Sequence, residues 1–136
     1  RIAALVTIAA APDFTEDGFW ANFNADTRKF LTQEGLVNIP SDYGDPYPIT
    51  KRLIEDGRLH LVLRSPLNLL FPTRFLQGDE DDEVSVELAQ RLFALATGDD
   101  IQLHLLKGGD HRFSSPRALA LTQEAITDVI GAIKAE

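Results

Sequence analysis

The chain has 136 residues, with 44% hydrophobic and 25% charged residues and a formal net charge of −8. These values are typical of one globular domain with a real core. The acidic excess argues against a nucleic-acid backbone as partner, because phosphate binding needs clustered Lys and Arg. The sequence contains no cysteine, which excludes disulfides, thiol nucleophiles and Cys-based metal sites.

The chain opens on a continuous apolar run, residues 2–9, that stops before Pro12 and Asp13. A run of this length predicts a parallel strand that is buried on both faces. A signal peptide is the alternative, but the run is short for one and no Met precedes it. The sequence contains no methionine at all, so we expect a fragment or a processed product. No run approaches the ~20 apolar residues that span a membrane.

Residues 14–68 form a long insertion that we predict to be largely helical, with an ordered but irregular loop at 38–48 where prolines and tyrosines alternate. Asp13 is the predicted N-cap of the first helix, with Glu16 as its capping-box partner. The predicted helices of the insertion cover residues 14–23, 25–34 and 49–56.

An insertion of this length between strands is typical of a lid over a site. Its aromatic side chains could line a pocket for an apolar substrate, or they could form the insertion's own core. The five candidates for the pocket are Phe14, Phe19, Trp20, Tyr43 and Tyr47.

The last part of the chain alternates between segments with the pattern of a strand and segments with the pattern of a helix. We predict strands at 73–77 and 101–106 and an amphipathic helix at 86–96. A final helix begins at Pro116 with Ser115 as its cap. The predicted apolar face of this helix consists of Leu119, Ile126, Val129, Ile130 and Ile133.

Alternation of strands and helices predicts an α/β fold, with parallel strands and flanking helices. We expect one partial domain over residues 1–136, with its core in 1–13 and 69–136 and the lid-like insertion in 14–68. The three long strands should be parallel neighbours in chain order.

Asp81 stands three residues after Gly78, at the carboxyl end of a predicted strand. Ligands of an open parallel sheet gather at this edge. A carboxylate there can fix an imidazole tautomer and stabilise its cation. The competing interpretation is a solvated acidic turn, which we prefer for Asp79, Glu80, Asp82 and Glu83. A calcium loop lacks the required glycine and terminal Glu spacing.

His111 follows two glycines and Asp110 at the end of the next strand. Histidine is the usual general base near neutral pH. A lone loop histidine is more often a plain surface residue, but the glycines before it and the acid one strand earlier favour a functional role. Acid followed by histidine is the order of an α/β-hydrolase triad, in which the nucleophile comes first. The chain contains no G-x-S-x-G, and no serine in it lies on a strand–turn–helix elbow.

Several segments together resemble one branch of the α/β hydrolases: I-A-A-L-V-T-I-A-A-A-P-D-F, P-S-D-Y-G-D-P-Y-P-I-T, L-I-E-D-G-R, G-D-E-D-D-E-V and K-G-G-D-H-R-F-S. The branch is that of serine hydrolases similar to the mitochondrial palmitoyl-protein thioesterase and its bacterial relatives. The family's acid falls on Asp81 and its base on His111, and its serine has no counterpart in this chain. Gln77 and Ser85 stand where many relatives have His and Pro.

The resemblance implies a serine hydrolase of carboxylic esters or acyl thioesters whose serine precedes Arg1. It implies no cofactor and no metal. Two other classes stay open, a non-catalytic binding protein on the same scaffold and a dehalogenase-like or epoxide-hydrolase-like enzyme with an Asp nucleophile. We expect a cytoplasmic location. We also expect the 136 residues to be inactive alone and to associate with an N-terminal half of the same domain or with a second copy of the chain.

Overall fold

The computed structural model describes residues 2–40 and 44–135, which form two compact units. One unit comprises Arg1–Ala11 and Leu63–Glu136, and the other comprises Pro12–Val62. The regular elements, in chain order, are β1 (Leu5–Ile8), a π-helix (Phe14–Trp20), α1 (Ala25–Glu34), β2 (Leu36–Ile39), β3 (Tyr47–Thr50), α2 (Lys51–Gly57), a 3-10 helix (Arg58–His60), β4 (Leu67–Asn68), β5 (Thr73–Gly78), α3 (Val86–Leu95), β6 (Ala96–Thr97), β7 (Ile101–Leu106) and α4 (Pro116–Ala135).

The first unit is built on a three-stranded parallel sheet in the order β1-β5-β7, which confirms the predicted arrangement. The central strand β5 is buried along its whole length, because it has a neighbour on each side. Gly78, the last residue of β5, pairs with Leu106, the last residue of β7. The turns that follow these two strands therefore begin side by side.

The first strand is shorter in this chain than predicted, and one of its edges is exposed. β1 is shorter than the predicted 2–9 and is only half-buried, and Ile8 at its end is 42% exposed. Among the described residues, its only strand partner is β5. Side chains near the outer edge of β1 consequently lack neighbours.

Helices cover both faces of this sheet. Phe75 packs into a cluster that includes Leu92 of α3, whereas its neighbour Leu76 packs with Ala118 and Ala125 of α4. Successive residues of a strand point to opposite faces. The two helices therefore lie on opposite sides of β5, as the α/β pattern predicts.

The predicted apolar face of α4 was largely wrong. The side chains turned toward the sheet are those of Ala118, Ala125 and Val129, which are buried. Small alanines allow the helix to approach the large side chains of the sheet closely. Of the predicted face only Val129 is buried, and the exposed members are Leu119, Ile126, Ile130 and Ile133.

The second unit has a core of Leu31, Ile49 and Ile54, against which Phe19 and Trp20 pack. Two of its sequence predictions need correction. Asp13 does not cap the first helix, since it adopts a left-handed conformation with φ 60° and its Oδ1 accepts a hydrogen bond from the N–H of Val62 at 2.7 Å.

The predicted irregular loop at 38–48 contains part of an antiparallel ribbon instead. β2 and β3 pair so that Leu36 lies opposite Thr50 and Asn38 lies opposite Pro48. A two-stranded ribbon tolerates proline because the position without an N–H can face outward. Tyr43 lies outside the described residues.

Within the described part of the chain, none of the helices is both long enough and apolar enough to cross a membrane.

Arg74 of β5 ties the central strand to its neighbours. Its guanidinium is buried and forms ion pairs with Asp100 at 2.8 Å, before β7, and with Asp128 of α4 at 2.6 Å. A buried cation is costly unless it is paired and hydrogen-bonded. These two carboxylates therefore make the position tolerable and fix α4 against the sheet.

Removing both carboxylates (Asp100→Asn with Asp128→Asn) should lower the free energy of unfolding by about 3 kcal/mol, because a buried cation is left without a counter-charge. Arg74→Met should cost less, since it removes the charge and leaves two carboxylates that reach solvent. Urea denaturation of the two variants compares these losses. A larger loss in Arg74→Met would contradict this account of the ion pairs.

Candidate active site

The turns after β5 and β7 touch through their backbones. A Cβ added at Gly78 would collide with the carbonyl oxygen of Gly109. The N–H of Asp79 donates to the Leu106 carbonyl at 3.1 Å, and the N–H of Glu80 donates to the Gly109 carbonyl at 3.0 Å. Glycine at a strand end permits such a close approach, because there is no side chain to separate the two backbones.

The side chain of Asp79 also connects the two turns. Its carboxylate accepts a hydrogen bond from the N–H of Gly108 at 2.6 Å and forms an ion pair with Lys107. Lys107 and then the Gly108 N–H hold the pKa of the Asp79 carboxyl below its usual value. Asp79 thus lies at the surface, as predicted, and its contacts also connect the two turns.

Asp81 points inward, and its side chain is fully buried. Oδ1 accepts hydrogen bonds from the N–H groups of Glu83 at 2.9 Å and Val84 at 2.8 Å. Oδ2 accepts one from Nε2 of Gln77 at 3.0 Å. The turn folds back around this carboxylate, so that the hydrogen-bond donors surround it.

Burial by itself would raise the pKa of the Asp81 carboxyl. The hydrogen bonds from Val84, Glu83, His111 and Gln77 outweigh burial, and the pKa lies below its usual value. Asp81 is consequently ionised at neutral pH, and as a carboxylate it can only accept hydrogen bonds.

His111 lies against Asp81, as the sequence led us to expect. Its Nδ1 is 3.1 Å from both carboxylate oxygens, and its side chain is 40% exposed. Because Asp81 can only accept, Nδ1 carries the proton of the neutral imidazole. Nε2 then has a free lone pair and can take a proton from another group.

Phe113 anchors the loop that presents His111. It is 2% exposed and adopts a left-handed conformation with φ 51°, which is uncommon for a residue with a side chain. Its N–H donates to Oδ1 of Asp110 at 3.1 Å. The buried ring and this local turn hold the backbone directly after the histidine.

The predicted aromatic residues lie in the second unit. Phe14 is 47% exposed and Tyr47 is 50% exposed. Phe19 and Trp20 pack against that unit's core, and the guanidinium of Arg58 lies 4.6 Å from the Trp20 ring centroid. Of the four described candidates, Phe14 and Tyr47 are thus the most exposed residues. Tyr43 falls outside the described residues.

Two features of this site had weak or no sequence signals. The acidic run at 79–83 hides Asp79 among similar residues, and nothing in the sequence distinguishes its role. Gln77 precedes the strand-end glycine and is 1% exposed, although glutamine is usually exposed. A glycine at the end of each of two neighbouring strands was the one pattern that could have indicated the contact between the turns.

The chain was compared with known proteins. No protein-family model matches it. Over 96% of its length it is similar to the mitochondrial palmitoyl-protein thioesterase ABHD10 of Bos taurus, with 31% identity over 139 residues that make up 43% of that protein. The chain thus spans less than half the length of this curated relative, of which it matches the C-terminal part.

Two solved structures are also similar to the chain. One is a protein from Agrobacterium vitis S4 assigned as a hydrolase, with 33% identity and a TM-score of 0.90 over 96% of this chain and 50% of that one. The other is the alpha/beta hydrolase domain-containing protein 10 from mouse, with 26% identity and a TM-score of 0.82 over 96% of this chain and 53% of that one.

The contact between the turns generates a prediction about Gly78. Gly78→Ala should lower the free energy of unfolding by about 2 kcal/mol, because the added methyl group meets backbone that cannot rotate away. Gly131→Ala is the matched control, since a Cβ there meets nothing within 4 Å and helix propensity favours alanine. Urea denaturation measures both variants, and equal stability of the two would disprove the close contact.

Proposed function

We propose that the chain, whose relatives and fold are those of α/β hydrolases, is part of a serine hydrolase of carboxylic esters or acyl thioesters. Asp81 and His111 are the acid and the base of its triad. The observation that carries this proposal is the 3.1 Å contact between Nδ1 of His111 and a buried, ionised carboxylate. Relatives named as palmitoyl-protein thioesterases support the choice of substrate class.

In the proposed reaction, a serine hydroxyl attacks the acyl carbon while Nε2 of His111 takes its proton. The proton then passes to the leaving alcohol or thiol as the acyl–oxygen or acyl–sulfur bond breaks. Water hydrolyses the acyl-enzyme by the same route. Asp81 keeps its negative charge throughout, fixes the imidazole tautomer and stabilises the imidazolium.

We propose that the serine comes from a segment that precedes Arg1 in the full-length protein. Two of this chain's serines are occupied as helix caps, since Oγ of Ser85 accepts from the N–H of Leu88 and Oγ of Ser115 accepts from that of Ala118, each at 3.2 Å. The roughly twenty residues before Arg1 test the idea. A G-x-S-x-G there supports the esterase, an Asp at the serine position indicates the other hydrolase class, and neither indicates a binding protein.

The same upstream segment, or a second copy of the chain, is the partner that we propose for the first unit. Ile8 at the outer edge of β1 is exposed, and so are Leu119, Ile126 and Ile130 of α4. Apolar surface next to an unpaired strand edge favours association. A cytoplasmic location stays a prediction, and the mammalian relatives are named as mitochondrial proteins.

The second unit is the proposed acyl-binding part of the enzyme, with Phe14, Phe19, Trp20, Tyr43 and Tyr47 as its substrate-binding residues. Phe14 and Tyr47 are the better candidates for direct contact, because these residues are about half exposed. An apolar acyl chain gains about 0.8 kcal/mol for each CH₂ group that it buries.

For the triad we predict that His111→Ala in the full-length protein lowers kcat by about 10⁶-fold, and that Asp81→Asn lowers it by about 10⁴-fold, since residual catalysis survives loss of the orienting acid. Hydrolysis of short-chain p-nitrophenyl esters measures both. Asp82→Asn is the matched control, because this neighbouring acid is exposed. Loss of activity in Asp82→Asn with normal activity in Asp81→Asn would show that the acid was assigned wrongly.

For the pocket we predict that Phe14→Ala raises KM for long acyl chains at least tenfold and leaves KM for an acetyl ester nearly unchanged. Phe30→Ala is the matched control, because Phe30 belongs to the same unit and is 53% exposed. Steady-state kinetics on a series of acyl chain lengths makes the comparison. Equal effects of the two substitutions would exclude Phe14 from the pocket.

A further inference from the structure

Gln77 is a buried polar side chain directly beneath the acid turn. It is the residue before the last one of the central strand β5 and is 1% exposed. Its Nε2 is 3.0 Å from Oδ2 of Asp81, 2.8 Å from the Val84 carbonyl oxygen and 3.1 Å from the Gly78 carbonyl oxygen. One amide nitrogen thus faces three acceptors from three parts of the same turn.

The orientation of this amide is fixed by its surroundings. A reversed amide would place Oε1 against a carboxylate and two carbonyl oxygens, which are all acceptors. In the observed orientation, Oε1 is buried and has no hydrogen-bond partner among the described residues. A buried oxygen without a hydrogen-bond donor is unfavourable. The hydrogen bonds of Nε2 must therefore stabilise this orientation by more than the unpartnered Oε1 destabilises it.

Gln77 also completes the set of donors around Asp81. Backbone N–H groups hold Oδ1, whereas apart from the imidazole Gln77 is the donor that the structure gives to Oδ2. The carboxylate can rotate about its Cβ–Cγ bond unless both oxygens are held. With both held, each oxygen lies 3.1 Å from Nδ1 of His111.

We propose that Gln77 is a positioning residue, which holds Oδ2 of Asp81 so that both carboxylate oxygens face the imidazole of His111. The inference rests on the proposed function for its effect on catalysis, but the contact with Asp81 can be tested without turnover. Gln77 acts through Asp81 and does not touch the reacting atoms.

Two substitutions separate the donor from the packing. Gln77→Met keeps an unbranched chain of similar length and removes the N–H groups. Gln77→Glu keeps the shape and places a second carboxyl beside Asp81, where two negative charges disfavour each other and raise an apparent pKa of the pair. Gln77→His is the conservative variant, because an imidazole can still donate one hydrogen bond.

In Gln77→Met we expect kcat in the full-length protein to fall about ten- to a hundredfold with KM unchanged, as for loss of a hydrogen bond to a charged group. The pKa of the Asp81 carboxyl, followed by ¹³C NMR, should rise. Gln77→His should restore most of kcat. In Gln77→Glu the acidic limb of the pH–rate profile should move to higher pH. Gln102→Met, at an exposed position of the neighbouring strand, should behave as the wild type.

An unchanged Asp81 pKa in folded Gln77→Met overturns the proposal, whether or not the protein hydrolyses esters. If Gln77→Met does not fold, Gln77→Glu decides in its place, and an Asp81 titration identical to that of the wild type overturns it equally. A third outcome is that the Asp81 pKa rises in Gln77→Met while the wild-type protein itself does not hydrolyse esters. That outcome supports the positioning role and refutes only the proposed function. The two failures are therefore distinguishable.

Discussion

Two backbone segments lie so close at Gly78 and Gly109 that Gly78 has no room for a side chain. This contact sets the separation between the end of β5 and the end of β7. Asp79 then fastens the two turns through Gly108 and Lys107. Only after these constraints are met do Asp81 and His111 lie within hydrogen-bonding distance. The electrostatics of the site therefore depend on a steric condition imposed by glycine.

Much of the sheet and the acid–histidine pair could be predicted from the sequence, because both depend on local patterns. A glycine follows each of the strands 73–77 and 101–106 within two residues, and parallel strands bring their carboxyl ends to one edge. Asp81 and His111 follow these ends directly. The cap at Ser115 and the helix over residues 25–34 were predicted correctly for the same reason, since each depends on a few adjacent residues.

The features that were missed depend on tertiary neighbours. Which face of α4 is buried depends on the bulk of Leu76 and Phe113 across the interface, and large exposed side chains such as Ile126 misled the periodicity. Asp13 was assigned to a local cap, but its partner Val62 is far along the chain. The role of Gln77 appears only when the acid turn folds back over it. The spacing of residues in the sequence indicates none of these contacts.

The acid–base pair is closed by a short stretch of chain. Asp81 and His111 are thirty positions apart, and the segment between them comprises α3, the short strand β6 and β7. Closing a loop of this size costs less conformational entropy than closing a longer one, and lower sequence separation of contacts favours faster folding. We infer that this segment brings Asp81 and His111 together before any segment outside it has docked. In folding terms, the segment proposed to supply the nucleophile meets a carboxylate–imidazole contact that is already in place.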